Sequence, residues 1–568
     1  MSTVPLISLI CICLLFMPLS ASPQHHYLTQ RSQMFTEGVV VSQHPLATEV
    51  GTEVLQDGGN AIDAAVATAY ALSVVAGNGS GLGGGGFALI YLAKEQKTIA
   101  VDFRERAPLS INRKSLALNG PRAGGIPGQV AGLEHLRSRY GSKTRQDLLS
   151  RPISLAKNGF PIESLLHNGI KRKQKVLKAF PSSAKVFLDK EGQVPPIGYQ
   201  LRQPDLAGTL EAISRYGSET FYDGKLARRI ARGIQDNGGL IGLEDLQRYK
   251  VYEERPICGT YRNKYRICSF PLPSSGGICL VEALNILENF DLPSLEYKDP
   301  QRLYYIIETL KHVFYDRASK LGDRRFVDVL PVEELTSKEY AKEIASEIRQ
   351  GKLNMSDTVS LNKSTESNET THFTVVDKQG NIVSITSSLG GALGSGFLIP
   401  GTGILFNNTL DDFSLPSGKV NQYGLLGNKF NHPAPQKTPL SSMSPTIVFD
   451  NESKKPILAL GSPGGPTIIS AVLNVLLARL DQQMTIKDAV ESGRVHHQWK
   501  PDIVFSEKSI INETCQKELQ DKYGYSFPKG EDDIWVRFYW AVQAIELDRT
   551  NRKITGIVDP RSPYGAEK

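Results

Sequence analysis

Apolar and polar positions follow a helical rhythm through most of the first half of the chain and a strand rhythm through much of the second. Pro45–Ala76 repeats at helical spacing and breaks at Asp57-Gly58-Gly59-Asn60, which predicts two helices, the second rich in alanine. Further helical patterns cover Gly128–Tyr140, Thr144–Lys157, Leu206–Tyr216, Lys225–Asn237, Gly277–Phe290 and Pro300–Leu321. Between them, Phe87–Leu92 reads as a strand and Pro256–Phe270 as a hairpin. In the second half, Phe373–Val376 and Ile382–Ser388 flank the turn Asp377–Asn381 as two short strands. Strands are also expected at Gly403–Phe406, Thr446–Phe449, Pro456–Leu460 and Trp535–Ile545, with a helix at Thr467–Ala478. Strands and helices out of strict alternation suggest an antiparallel sheet core with helical layers outside.

Two segments stand apart from this rhythm. Val4–Leu19 is almost wholly apolar and runs into Leu19-Ser20-Ala21, which reads as a secretory signal peptide over residues 1–21, cut after Ala21. An uncleaved anchor is the rival reading, set back by the segment's length and by Pro5 and Pro18. Leu353–Glu369 is polar: nine of its 17 residues are Ser, Thr or Asn and none is aromatic, so it reads as a surface linker between the halves.

Composition narrows the function classes. A charge of +6 spread over 568 residues, with no basic run, argues against nucleic acid as a partner. No apolar stretch beyond the N-terminus is long enough for a membrane span. Removal of the signal leaves Cys258, Cys268, Cys279 and Cys515, too sparse for a disulfide scaffold and without zinc-ligand spacing. The segment Cys258–Cys268 is symmetric about Asn263, so a hairpin turning there sets the two cysteines opposite each other. Two readings stand: a cross-strand disulfide, or two buried thiols in another register.

Most candidate motifs dissolve on inspection. Gly79-x-Gly81-x-x-Gly84 matches the dinucleotide string, but a helix precedes it and a strand follows, the reverse of what that site needs. The glycines read instead as places of close backbone packing. His496-His497 has no further ligand at metal spacing and reads as structural. Asp411-Asp412, read on a strand, would send only one carboxylate to any site. The segment Thr370-Thr371-His372-Phe373-Thr374-Val375-Val376 is different, because a hydroxyl residue starts a strand directly after the polar linker. A cut before Thr370 would free an α-amine of ordinary pKa about 7.7–8.0 beside that hydroxyl, a suitable general base.

That segment resembles the start of the small subunit of γ-glutamyltranspeptidases. So do Gly403–Asn408 with Asp411–Ser414, Pro439–Thr446, Gly461–Gly465, Val495–Trp499 and Asp559–Ser562. Gly81–Phe87 and Asp102–Pro108 resemble that family's large subunit, and the likeness is collinear from about Gly38 to Arg561. The resemblance implies an α+β N-terminal-nucleophile hydrolase, a four-layer αββα sandwich of two antiparallel sheets between helical layers. It implies self-cleavage into a large chain, 22–369, and a small chain, 370–568, which form a heterodimer and share one domain. The implied activity is attack on a γ-glutamyl amide such as glutathione, with transfer to water or an amino acid. No metal or cofactor is implied, and with the signal the product would be secreted or periplasmic.

Residue roles carry over by resemblance one at a time. Thr370 matches the nucleophile, Ser388 a hydroxyl bonded to it, and Gly464 and Gly465 the backbone oxyanion hole. Arg104, Ser441 and Ser442 match the clamp on the substrate α-carboxylate, Asp412 the partner of its α-ammonium, and Tyr423 a lid over the glutamyl group. Gly390 and Thr409 depart, standing where the family has Asn and Glu or Gln on the ammonium. The expectation is therefore an intact reaction centre with a stripped, widened amine pocket. A related acylase for another amide is the first rival, and a catalytically dead binding protein on the same fold the second.

Overall fold

Strand Thr371–Asp377 joins the two halves of the chain into one body. It pairs on one side with Gly38–Ser42, from far upstream, and on the other with its hairpin partner Ile382–Ser388. The computed structural model describes residues 30–33, 38–112, 116–351, 369–414, 420–528, 540–548, 550–551 and 553–562. The expected signal peptide, nearly all of the polar linker and the first part of the expected strand Trp535–Ile545 lie outside the described residues.

Two antiparallel sheets carry the fold. The six-stranded sheet runs in the order Gly38–Ser42, Thr371–Asp377, Ile382–Ser388, Gly85–Leu92, Lys97–Phe103, Tyr252–Glu254. The seven-stranded sheet runs Gln30–Gln33, Lys553–Val558, Gln543–Asp548, Pro456–Gly461, Thr446–Asp450, Tyr265–Ser269, Ile257–Tyr261. Strands from before and after Thr370 are neighbours in both sheets. A cut there would thus leave both products hydrogen-bonded along their lengths.

Alternation along each strand sorts side chains into layers. In Gly85–Leu92, Ala88 and Ile90 pack toward helix Ala61–Val75, while Phe87, Leu89 and Tyr91 enter the core between the sheets. There they meet Phe270, Ile447, Phe449 and Ile545 of the other sheet. A separate core under the seven-stranded sheet packs helices Gly276–Leu287, Pro300–Lys320 and Thr467–Leu480. The result is helix, sheet, sheet, helix.

Local chemistry fixes the register of these layers. Helix Ala61–Val75 is buried on all sides and capped by Asn60, whose side chain accepts from Ile62 and Asp63 while Asp63 returns the bond. Asp377, at the end of the central strand, accepts from Ala61 N–H at 2.9 Å and so sets a carboxylate at the helix N-terminus. The glycine run serves close packing: a Cβ on Gly84 would lie 2.2 Å from the Ser388 carbonyl oxygen, and one on Gly86 2.4 Å from that of Thr386. Ile257–Tyr261 and Tyr265–Ser269 form the hairpin centred on Asn263, with Cys258 opposite Cys268 and a disulfide between them. Cys279 and Cys515 are free and buried.

Some elements differ from the pattern reading. Gly403–Phe406 contracts to Ile404–Leu405, paired with Leu398–Ile399 and followed by a single bridge from Phe406 to Gly83, because Gly401 and Gly403 both turn through positive φ. Helix Ser164–Ala179 carries four lysines and Arg172 and is not singled out by its pattern, yet it buries Leu165, Leu166, Ile170 and Leu177. Asp411 and Asp412 sit in a 3-10 turn, Thr409–Asp412, and not on a strand.

Candidate active site

Strand parity puts Thr370 and Ser388 between the sheets. In the pairing of Thr371 with Ser387, extension by one residue sets Thr370 opposite Ser388. Thr370, His372 and Thr374 share the inward side with Ser384, Thr386 and Ser388, all buried. His372 ties the rows together, 2.9 Å from Thr386 Oγ1 and 3.1 Å from Thr374 Oγ1. Burial pushes its pKa down to about 3, so the ring is neutral at ordinary pH.

Thr370 is poised against its own preceding peptide. Its hydroxyl donates to the Glu369 carbonyl oxygen at 2.8 Å and lies 3.1 Å from Ser388 Oγ. Ser388 Oγ reaches the same carbonyl oxygen at 3.1 Å and accepts from Gly390 N–H at 2.9 Å. Gly464 and Gly465 have φ of 126° and 58°, conformations that favour glycine, and they turn the chain into helix Thr467–Leu480. Among the described residues neither glycine N–H donates to a protein acceptor.

Thr370, Ser388 and Gly465 open onto a small cavity of about 30 Å³ whose far end is charged. Arg104 enters from just after strand Lys97–Phe103, and its Nη2 donates to Asp412 Oδ2 at 2.8 Å. Glu105 adds a second carboxylate, 3.3 Å from Arg104 Nη1. Burial works against the charge on Arg104, but Glu105, Asp412 and Tyr423 outweigh it and raise its pKa above the ordinary value. Burial raises the Asp412 carboxyl, against the pull of Arg104 and Arg317. Burial likewise pushes Glu105 up to about 7, with Arg104 opposing.

The sequence reading missed Arg317 and Asn421, both of which line this cavity. Arg317 donates from Nη2 to Ser442 Oγ at 3.1 Å and from Nε to Ser275 Oγ at 3.0 Å. It lies in the last turn of helix Pro300–Lys320, where a basic residue reads as a complement to the helix dipole. Ser441, Ser442 and Tyr423 line the same cavity. Asp411 turns away and accepts from Gln422 N–H at 2.7 Å, so one carboxylate of the pair faces the cavity, although the element is a turn.

Neither Gly390 nor Thr409 lines the cavity. Thr409 donates its hydroxyl to Asn407 Oδ1 at 2.8 Å. Gly390 has φ of 95°, and a Cβ there would lie 2.0 Å from Asn408 Oδ1. The Asn408 amide fills the space that the missing side chain was expected to leave open, and it also holds Gly391 N–H at 2.8 Å. The pocket is therefore not widened at Gly390.

Glu282, His312 and Asp316 are the one cluster among the described residues with metal-ligand potential. Lys320 and Tyr340 already occupy Asp316, at 2.8 and 2.6 Å, which makes this a packed ion-pair network. His496 and His497 bond Ser470, Gln498 and Asp502.

A four-layer αββα fold, with a threonine opening an inner strand beside a second hydroxyl and a glycine turn, has the architecture of an N-terminal-nucleophile hydrolase. The gamma-glutamyltranspeptidase family profile matches residues 47–568. A glutathione hydrolase proenzyme of Escherichia coli is 41% identical over 493 residues, covering 84% of each chain. One from Bacillus subtilis is 35% identical over 551 residues, covering 92% of this chain and 90% of its own. Among solved structures, a cephalosporin acylase from Bacillus halodurans superposes with a TM-score of 0.80 at 25% identity, covering 96% of this chain and 98% of that one. A γ-glutamyltranspeptidase from Helicobacter pylori superposes with a TM-score of 0.54 at 38% identity, covering 57% of this chain and 98% of that chain. The chain belongs to the gamma-glutamyltranspeptidase family.

Proposed function

We propose that this protein cuts itself between Glu369 and Thr370 and then uses Thr370 to cleave γ-glutamyl amides such as glutathione. The observation that carries the reading is the Thr370 hydroxyl at 2.8 Å from the Glu369 carbonyl oxygen, with Ser388 on the same oxygen. In the first step Thr370 Oγ bonds to the Glu369 carbonyl carbon as its proton leaves. The C–N bond breaks, the nitrogen takes a proton, and water hydrolyses the resulting ester. The products are residues 22–369, if the signal is removed after Ala21, and residues 370–568. They stay together because both sheets interleave their strands.

The freed α-amine of Thr370 then acts as base to its own hydroxyl. Oγ attacks the γ-carbonyl of the substrate, and the unpartnered amides of Gly464 and Gly465 receive the negative oxygen. Ser388 orients the nucleophile. The leaving amine takes a proton from the Thr370 ammonium, and water or an amino acid releases the glutamyl group. At the other end, Arg104, Ser441 and Ser442 take the α-carboxylate, Asp412 takes the α-ammonium and Tyr423 covers the group. Because Gly390 and Thr409 supply no side chain to the cavity, Asp412 is the ammonium's charged partner.

Among the described residues no helix is long and apolar enough to cross a membrane. Export by the N-terminal segment is part of the same proposal. N-terminal sequencing of the purified protein tests it: a second N-terminus at Thr370 is expected, and a single uncut active chain would refute the mechanism.

A further inference from the structure

The residue before the scissile bond is gripped by its side chain. Glu369 is buried, with its side chain only 3% exposed, and its two carboxylate oxygens have partners from separate elements. Arg172, on helix Ser164–Ala179, pairs with Oε1 through Nη2. Asn78, in the turn after helix Ala61–Val75, donates from Nδ2 to Oε2 at 3.1 Å. That turn is itself fixed, since the Asn78 carbonyl accepts from Leu393 N–H at 3.2 Å. The next residue, Gly79, touches the other side of the bond: a Cβ there would lie 3.1 Å from the Thr370 carbonyl oxygen. Arg172, Asn78 and Gly79 do not line the substrate cavity.

We infer that Arg172 and Asn78 form a clamp on the precursor, positioning the Glu369 carbonyl for attack by Thr370 and taking no part in later turnover. Attack within one dipeptide is sterically tight, so it depends on the rotation of the Glu369 peptide plane. A carboxylate held at two points by two different elements restricts that rotation. Once the bond breaks, Glu369 belongs to the new C-terminus of the large chain, and Thr370 works without it. The inference rests on the proposed self-cleavage at Thr370.

The test separates maturation from catalysis in the full-length chain. Conversion of precursor to two chains is followed over time for wild type, Arg172→Ala, Arg172→Lys, Asn78→Ala and Glu369→Gln. Glutathione turnover is then measured per mole of matured protein. Arg172→Ala should slow conversion on the order of 10–100-fold, with partial recovery in Arg172→Lys, while kcat and KM of the matured enzyme stay within about twofold of wild type. Glu369→Gln keeps the shape of the side chain and removes its charge, so it reports the clamp even if Arg172→Ala folds poorly. Its conversion should also slow. Wild-type conversion rates in both Arg172→Ala and Glu369→Gln would overturn the clamp while self-cleavage stands, as would turnover falling in step with conversion. A wild type that yields no N-terminus at Thr370 would overturn the parent reading and the clamp with it.

Discussion

The two ends of the cavity are built by opposite means. The nucleophile end consists of two hydroxyls on adjacent strand ends, Thr370 and Ser388 facing each other across one hairpin, with the Gly464-Gly465 turn beside them. Its neighbouring histidine, His372, is held neutral by burial. The other end gathers buried charges from distant parts of the chain: Arg104 with Glu105, Arg317, and Asp412, reinforced by Ser441 and Ser442. A reaction centre made of strand ends is rigid and tolerates little change. A binding end made of loops and helix termini can be altered one group at a time.

Removing the nucleophile tests the first end most severely. Thr370→Ala should leave one uncut chain and lower amidase activity by on the order of 10⁴-fold or more, seen by gel and by glutathione hydrolysis. The corresponding blow to the charged end is Arg104→Ala. It should leave Asp412 buried without its 2.8 Å partner, raise KM for glutathione roughly 100-fold, and destabilise the protein by about 3–5 kcal/mol in denaturant titration. Self-cleavage should persist in the fraction that folds. If Arg104→Ala blocked cutting as completely as Thr370→Ala, the two ends would not be separable.

The ends should also part company in pH. Glu105 has its folded pKa raised by burial to about 7, above the ordinary carboxyl value. Its contribution to stability is therefore full below about pH 4.5 and lost as pH rises through 7, a change of at most roughly 3 kcal/mol. Glu105→Gln should remove that loss, so its Tm relative to wild type should climb between pH 4.5 and 8. His372 has the opposite sign. Its folded pKa lies below its ordinary 6.5, so its stabilisation is present above pH 6.5 and falls away toward pH 3. A Tm difference for Glu105→Gln that is flat with pH would remove the titrating group from the charged end.

Much of this was legible in the sequence, and what was not has a physical cause. At the nucleophile end the residues themselves pointed only to Thr370, a hydroxyl opening a strand directly after a polar linker, and the family resemblance supplied the roles of Ser388, Gly464 and Gly465. The layers followed from strands such as Gly85–Leu92, apolar on both faces. Arg317 was not legible because its partner Ser442 is 125 residues away and its place in a last helical turn has an ordinary explanation. The expectation of a pocket widened at Gly390 failed because the Asn408 amide fills the space beside it. Gly390→Asn should not tighten glutathione binding, but should cost about 1–3 kcal/mol in stability through its positive φ and the Asn408 clash. A lower KM in Gly390→Asn would restore the earlier expectation.

A subtler substitution asks whether the second guanidinium matters to binding. Arg317→Lys keeps the charge but loses the two-pronged contact with Ser275 and Ser442, and it should raise KM for glutathione about five- to tenfold with cutting unchanged. An unaltered KM would make Arg317 a packing residue alone.

The division of labour between the two ends is tested most directly by comparing turnover of glutathione with that of a matched glutaryl amide by the same matured enzyme. The glutaryl compound keeps the scissile amide and a carboxylate but lacks the α-ammonium that Asp412 is proposed to hold. The account predicts a kcat/KM for glutathione higher by on the order of 10–100-fold. Equal or faster cleavage of the glutaryl amide would contradict it, and would mark the charged end as the binding site of a different acyl group.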